Sequence, residues 1–314
     1  MLAASDHREL TAYLAADGFV EHLQAELGDC VVETRDRLVV AEGAARPAAW
    51  AANVWFDAQL HEIASINDGA RWLRSIQRNW ALYPTGSFRR ASLIEQKLPP
   101  FRPKPHAFPA PAPGSPLGSW TLWESNLMLA SPNCSSAFRH GEVAFLEDHF
   151  GPPSRAYLKL WEALTVAGRM PGAGDRCIDL GAAPGGWTWV LAGLDCQVLA
   201  VDKADLAPAV ASLPNVEMRR ESAFAVDPET VGPVDWLFSD VICYPDRLIR
   251  LVERWRASNV RNMVCSVKFQ GDTDMAGIRA LAEVPGSRLV HLHHNKHELT
   301  WLLLDYGTSD EPSR

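Results

Sequence analysis

Apolar and polar residues alternate along this chain with two different textures, and the change falls near residue 150. Beyond it, short apolar runs recur at 177–180 (CIDL), 197–202 (QVLAVD), 216–219, 235–241 (DWLFSDV) and 263–269 (MVCSVKF). Runs this short, without polar alternation, predict strands covered on both faces. Between them lie stretches with helical spacing: 154–166, a helix opening at 187–191, 245–257 with Leu248, Leu251, Val252 and Trp255 inward, and 274–282. Residues 288–293 and 298–305 read as a closing strand pair. Strands alternating with helices predict an α/β fold with a mostly parallel sheet and ligands at the carboxyl ends of its strands.

The first half predicts a smaller α+β unit over residues 1–97. Residues 13–27 carry helical spacing and stop near Gly28, 30–40 suggest a strand pair around a polar tip, and 53–60 suggest a further strand. Residues 67–83 read as a helix capped by Asn67 or Asp68, with Trp72, Leu73, Ile76 and Trp80 on one face. Eight prolines then fall within 98–118. Proline fixes φ and lacks a donor, so this segment is expected to be a semi-rigid linker or a strap over the surface. Residues 119–149 form a connecting region with a strand at 120–129, and 150–314 the larger α/β domain.

Composition narrows the picture modestly. The 314 residues are 47% hydrophobic and 22% charged, which suits an ordinary globular protein with a sizeable core. The six cysteines form no C-x-x-C pair, and no apolar run reaches transmembrane length. With no evident signal peptide, the expectation is a cytoplasmic protein without a membrane partner. A net charge of −8 disfavours binding of a polyanion by the whole molecule, but residues 71–106 hold eight cations against the single acid Glu95. These are Arg71, Arg74, Arg78, Arg89, Arg90, Lys97, Arg102 and Lys104, interleaved with Trp72, Trp80, Tyr83, Phe88 and Phe101. Cations for phosphates and rings for unpaired bases suit RNA; a solvated helix face followed by a charged loop fits the segment equally well.

The most informative stretch is 176–189, RCIDLGAAPGGWTW. A strand, a turn of small residues and a helix start place backbone N–H groups beside a ligand. The spacing is neither that of a phosphate loop nor a full G-x-G-x-x-G. Asp202 ends the next strand about 20 residues on, where an acid accepts hydrogen bonds from ribose hydroxyls or caps the following segment.

The loop resembles the first motif of S-adenosylmethionine (SAM) methyltransferases, in the Pro-Gly-Gly form of the FtsJ-like RNA ribose 2′-O-methyltransferases. Lys159, Asp240, Lys268 and Glu298 stand at element ends in the order of that family's Lys-Asp-Lys-Glu tetrad. P-S-R-x-x-L-K-L-x-E-A at 153–163 and D-L-G-A-x-P-G-G-W-T at 179–188 bring the chain nearest to the members that act on large-subunit ribosomal RNA. The similarity covers about residues 150–305 well; residues 1–97 match the family's ferredoxin-like and THUMP region only loosely.

The resemblance implies a Rossmann-like SAM methyltransferase sheet, SAM as cofactor and RNA as partner. It also implies cofactor contacts from Asp179, Gly181, Ala183, Pro184, Gly185, Gly186, Trp187, Asp202 and Asp240. Ser222 takes the place of an acid that contacts adenine in the family, and Ala156 that of a small hydroxyl residue. The tetrad has a chemical logic. A ribose hydroxyl must lose its proton as it attacks, and a neutral lysine can take it. A neighbouring ammonium and partial desolvation both favour neutral lysine. Lys268 is read as the base, Lys159 as the cation that tunes it or steadies the oxyanion, Asp240 and Glu298 as orienting acids.

Singly each has a plainer reading: a solvated lysine, a turn aspartate, half of a surface ion pair. His291, His293, His294 and His297 crowd the approach to Glu298, but no ligand set completes a metal site, and they read as polar strand-end residues. Two other functions stay open: 2′-O-methylation of a cap or transfer RNA, and an RNA-binding or assembly protein that holds the cofactor weakly.

Overall fold

The first regular element is a strand, β1 (Leu10–Ala15), where the periodicity predicts the start of a helix. All six of its residues are buried, so no polar face marks the strand period. The computed structural model describes Leu2 and residues 8–305. These fall into two units: one runs to Ala107 and resumes over Pro111–Phe145, and the other takes Phe108–Ala110 and the described residues from Leu146 onward.

In the first unit β1 is followed by α1 (Val20–Leu27), β2 (Val31–Arg35), β3 (Leu38–Glu42) and β4 (Ala51–Phe56). Next come β5 (Gln59–Glu62), α2 (Ile66–Ile76), β6 (Trp80–Leu82), α3 (Phe88–Glu95), β7 (Gly118–Glu124), β8 (Leu127–Ser131) and β9 (Asn133–Cys134). They build an antiparallel sheet of order β2-β3-β1-β4-β9 and a second sheet of order β5-β8-β7-β6. Leu14, Leu38 and Trp55 of the first sheet share a core with Trp123 and Leu129 of the second. Trp120, Leu122 and Met128 share another with Leu73 of α2 and Ile94 of α3. β7 is thus covered on both sides.

Several boundaries differ from the sequence reading. The strand expected at 53–60 is two strands in different sheets, β4 and β5. The strand expected at 120–129 is the hairpin of β7 and β8. The helix expected at 67–83 is capped by Ser65, whose hydroxyl accepts from the Asp68 N–H (3.1 Å). It stops at Ile76 because Gln77 turns extended and Trp80 pairs in parallel with Gly118 of β7. Helix α3 lies unforeseen inside the basic segment. Strands β7, β8 and β9, set apart in the sequence reading as a connecting region, lie in the sheets of the first unit.

The second unit contains α4 (Tyr157–Ala167), β10 (Arg176–Leu180), α5 (Gly186–Gly193), β11 (Gln197–Asp202), α6 (Pro208–Ala211), β12 (Val216–Arg220), α7 (Pro228–Val231) and β13 (Trp236–Ser239). It closes with α8 (Pro245–Ala257), β14 (Asn262–Lys268), α9 (Met275–Ala282), β15 (Ser287–Val290) and β16 (Glu298–Leu303). The seven strands run in the order β12-β11-β10-β13-β14-β16-β15. The first five are parallel, and β16 inserts antiparallel between β14 and β15. This is the mostly parallel sheet that the alternation of runs and helices anticipates, in the Rossmann-like form that the resemblance implies. Strand order reverses between β10 and β13, which opens a crevice at their carboxyl ends. Among the described residues no helix is long and apolar enough to cross a membrane.

Candidate functional site

The loop after β10 enters that crevice. Leu180 ends β10 beside Ser239, so Gly181 and Asp240 leave neighbouring strands at the same level. Gly181 adopts φ +81°, and a Cβ there would lie 2.9 Å from the Val241 Cα. Only glycine tolerates both that conformation and that approach. Gly185 adopts φ +112° to open α5, and Gly186 begins that helix against Ser154. Asp202 braces the loop: its carboxylate accepts from the Ala183 N–H (3.1 Å) and from the Ala204 N–H (3.0 Å). Pro184 accepts from the Ala207 N–H (2.9 Å), which fastens the same loop to the chain beyond β11.

Asp179 is fully buried. One carboxylate oxygen accepts from the Thr188 hydroxyl (2.7 Å), and the other has no partner among the described residues. Burial, seconded by the charges of Asp240 and Asp202, pushes its carboxyl up to about 7 against the opposing Thr188 bond. A buried acceptor without a donor, one residue before the end of β10 and the glycine turn, is a place for a ligand donor.

Trp187, expected at the cofactor, is a buried side chain whose indole N–H donates to the Ala156 carbonyl (3.0 Å). Its ring ties the loop to the entry of α4 rather than opening to solvent. Ser222 stands in the turn after β12, at the carboxyl edge of the sheet, and its hydroxyl accepts from the Phe224 N–H (3.4 Å).

The four charged residues far apart in sequence converge. Lys159 projects from the first turns of α4, Asp240 follows β13, and Lys268 and Glu298 are register partners across β14 and β16. One Asp240 carboxylate oxygen receives both ammoniums, Lys159 Nζ at 2.9 Å and Lys268 Nζ at 2.9 Å. Glu298 takes Lys159 Nζ at 3.1 Å on one oxygen and faces Lys268 Nζ at 3.9 Å on the other. Burial works against the charge on Lys159, but Asp240 and Glu298 outweigh it and hold its ammonium above the usual lysine range. Burial likewise raises the Asp240 carboxyl, and Lys159 and Lys268 outweigh it and hold it below the usual range. The sequence reading weighed the neighbouring ammonium and partial desolvation, which favour neutral lysine, and took the two acids as orienting groups. Two carboxylates face the two ammoniums, and Lys159 is kept charged.

Sequence reasoning gave no role to Glu162, three residues after Lys159 on α4. It is 1% exposed, yet it is a carboxylate. Its oxygens accept from the backbone N–H groups of His293 (2.7 Å) and His294 (3.0 Å), and it meets the His294 ring at Nδ1 (2.6 Å). The signal was present as a lone acid among Leu160, Trp161 and Ala163. The histidine run is thereby explained. His294 is held by Glu162, His291 Nε2 faces the Lys296 carbonyl (3.0 Å), and His297 Nε2 faces the Thr273 hydroxyl (2.8 Å). Among the described residues no group of three or more metal-ligating side chains is assembled.

Replacing Glu162 by alanine leaves the His293 and His294 N–H groups and the His294 ring without this acceptor. It is expected to cost roughly 2–4 kcal/mol, read as a lowered urea midpoint. An unchanged midpoint would mean that the carboxylate does not hold the turn.

The basic segment divides among α2, β6, α3 and the proline-rich stretch. Arg71, Arg74, Arg78 and Arg89 are exposed. Of its interleaved aromatics, Trp80 and Tyr83 are buried and Trp72 stacks on His61 at 4.1 Å. Phe88 is 65% exposed, so the rings free to meet a base are fewer than the sequence suggests.

The model of the FtsJ-like methyltransferase family matches residues 152–272. Among curated relatives, the ribosomal RNA large subunit methyltransferase M of Halorhodospira halophila is 38% identical over 157 residues, 47% of this chain and 46% of the relative. The protein of the same name from Methylococcus capsulatus is 42% identical over 167 residues, 48% of this chain and 47% of the relative. That from Marinobacter nauticus is 28% identical over 304 residues, 90% of this chain and 80% of the relative. In the first two matches the chain spans about half the length of the relative.

Proposed function

We propose, from the match of residues 152–272 to the FtsJ-like methyltransferase family, that this protein methylates the 2′-hydroxyl of a ribose in large-subunit ribosomal RNA, with SAM as donor and in the cytoplasm. The observation that carries the reading is the meeting of Lys159, Asp240, Lys268 and Glu298 beside the glycine loop at the β10/β13 crevice.

The residues present fit SAM. The unpartnered Asp179 oxygen and the Gly181 approach would hold its methionine end, and Asp202 keeps lone pairs for the ribose hydroxyls after its two loop bonds. Ala183, Pro184, Gly185 and Gly186 supply the backbone of the cradle, Trp187 fastens it, and the turn at Ser222 offers backbone and hydroxyl toward the adenine. SAM supplies a methyl group on a sulfonium, open to in-line attack.

The chain's own residues supply the rest. Lys268 Nζ, in its neutral form, takes the proton from the ribose hydroxyl as that oxygen bonds the methyl carbon and the carbon–sulfur bond breaks, and Lys159, held as an ammonium, stabilises the oxygen as its charge develops. Asp240 keeps both lysines in place, and Glu298 steadies Lys159 from the opposite side. Alignment of the hydroxyl accounts for much of the remaining acceleration. The exposed Arg71, Arg74, Arg78 and Arg89 of the first unit, with Phe88, bind the RNA outside the reacting nucleotide.

Two measurements test this. Calorimetric titration should show SAM binding. Its absence would favour the rival reading, an RNA-binding protein on the same fold, which the Ser222 substitution motivates. Mapping of 2′-O-methyl sites in RNA from cells with and without the protein should show loss at one ribosomal position. Loss in a transfer RNA or cap would redirect the substrate.

A further inference from the structure

Beside the charged tetrad lies a cavity of about 810 Å³. Arg155, Lys159, Lys268 and Lys296 line it with Glu298; Lys159 and Lys268 are paired with Asp240 and Arg155 with Glu147, and Lys296 has no carboxylate partner among the described residues. Its apolar wall includes Phe269 and Ile242. Ile242 and Tyr244 follow Asp240 within four residues and flank Cys243. Ile242 is 71% exposed and Tyr244 is 61% exposed, whereas Cys243 is buried. The Tyr244 phenol makes no hydrogen bond among the described residues, and Tyr244 occupies the N-cap position of α8 without its side chain capping the helix. Backbone N–H groups of Arg247 and Leu248 bond the Tyr244 carbonyl (3.0 and 3.3 Å), so the ring is displayed from an anchored position.

Single exposed apolar residues are ordinary. Two of them on the segment that delivers Asp240, with Ile242 in the wall of a cavity that bears cations and Tyr244 two residues on, call for a ligand with an anionic backbone and an apolar face. We propose that Ile242 and Tyr244 form a ledge on which the base of the target nucleotide stacks when its ribose enters the cavity. This rests on the RNA reading above and adds to it that the target is unpaired or taken out of its stack, since a base inside a duplex offers no free face. Lys296 of the lining meets a flanking phosphate, while Lys159 and Lys268 stay with the reacting hydroxyl.

The test measures binding without turnover, by fluorescence anisotropy of a short oligoribonucleotide free of secondary structure. Parent protein, Tyr244→Ala, Ile242→Ala and Tyr244→Phe are compared, with circular dichroism to confirm folding. Because both side chains are largely exposed, the variants are expected to fold. Tyr244→Ala should weaken RNA binding about ten- to hundredfold, as expected for losing one base–ring stack. Ile242→Ala should weaken it less, Tyr244→Phe should restore parental affinity, and SAM affinity should stay unchanged in all three. A duplex of the same strand should compete poorly.

If the parent binds and methylates RNA while Tyr244→Ala binds as tightly, the ledge is wrong and the methyl-transfer reading stands. If the parent binds no RNA at all, both fall.

Discussion

Lys268→Ala is expected to lower the rate of methyl transfer about 10²- to 10⁴-fold, the usual contribution of a positioned general base, while SAM affinity stays within a factor of about two. The separation is expected because Lys268 ends β14, across from Glu298, whereas the glycine loop leaves β10 on the other side of β13. Alanine alone does not distinguish a base from a fixed cation. Arginine does, because its guanidinium keeps the charge and cannot shed a proton near neutral pH. Lys268→Arg should therefore be nearly as inactive as Lys268→Ala. If arginine restores most of the rate, Lys268 acts through its charge, and proton removal must be assigned elsewhere. Single-turnover kinetics with saturating SAM and RNA make the comparison, since they isolate the chemical step from binding and release.

Asp240→Asn should damage stability as well as rate. One oxygen of Asp240 faces two ammoniums at 2.9 Å each, and the residues involved are between 10% and 19% exposed at their side chains. Without that charge, Lys159 and Lys268 are left with Glu298 alone. Breaking a buried pair costs about 3–5 kcal/mol; with this partial solvent access roughly 2–4 kcal/mol is expected.

The loss should depend on pH in a defined way. The Asp240 carboxyl lies below its ordinary value of 3.8, so its stabilisation is present above that value and disappears as pH falls through the lowered one. The Lys159 ammonium lies above its ordinary value of 10.5, so its share is present below 10.5 and is lost as pH rises through the raised value. The parent should thus exceed Asp240→Asn across the neutral range, and the gap should close toward strongly acid solution. Urea unfolding between about pH 3 and pH 9 measures it. A gap that persists undiminished at the acid end would show that the ion pairs are not its source.

The two halves of the chain differed in how much could be read from them. The buried strands of the second unit announce themselves as short apolar runs because both faces of a mostly parallel sheet are covered. In the first unit the same full burial misleads. β1 has no polar face, so its last residues, from Tyr13, join α1 in a single apparent helix. Trp80 fits the helical face of α2 by spacing, and its pairing with Gly118, far along the chain, takes it into a strand instead. Helix α3 was hidden by its polar sequence and by the expectation that a basic segment is a loop.

A resemblance singled out the four charged residues; by itself the sequence determined the strand–helix alternation beyond residue 150 and the glycine loop at the end of the first strand. These are local facts: periodicity, backbone freedom and residue chemistry within a few positions. Only the tertiary structure decided that both lysines share one oxygen of Asp240, that Lys159 is held charged, that Glu162 fastens the histidine turn, and that Trp187 braces the loop. Each of these depends on groups brought together across long separations, such as the 139 positions from Lys159 to Glu298. The balance of burial and charge that sets a side chain's state is a property of that assembled neighbourhood, which no window of sequence contains.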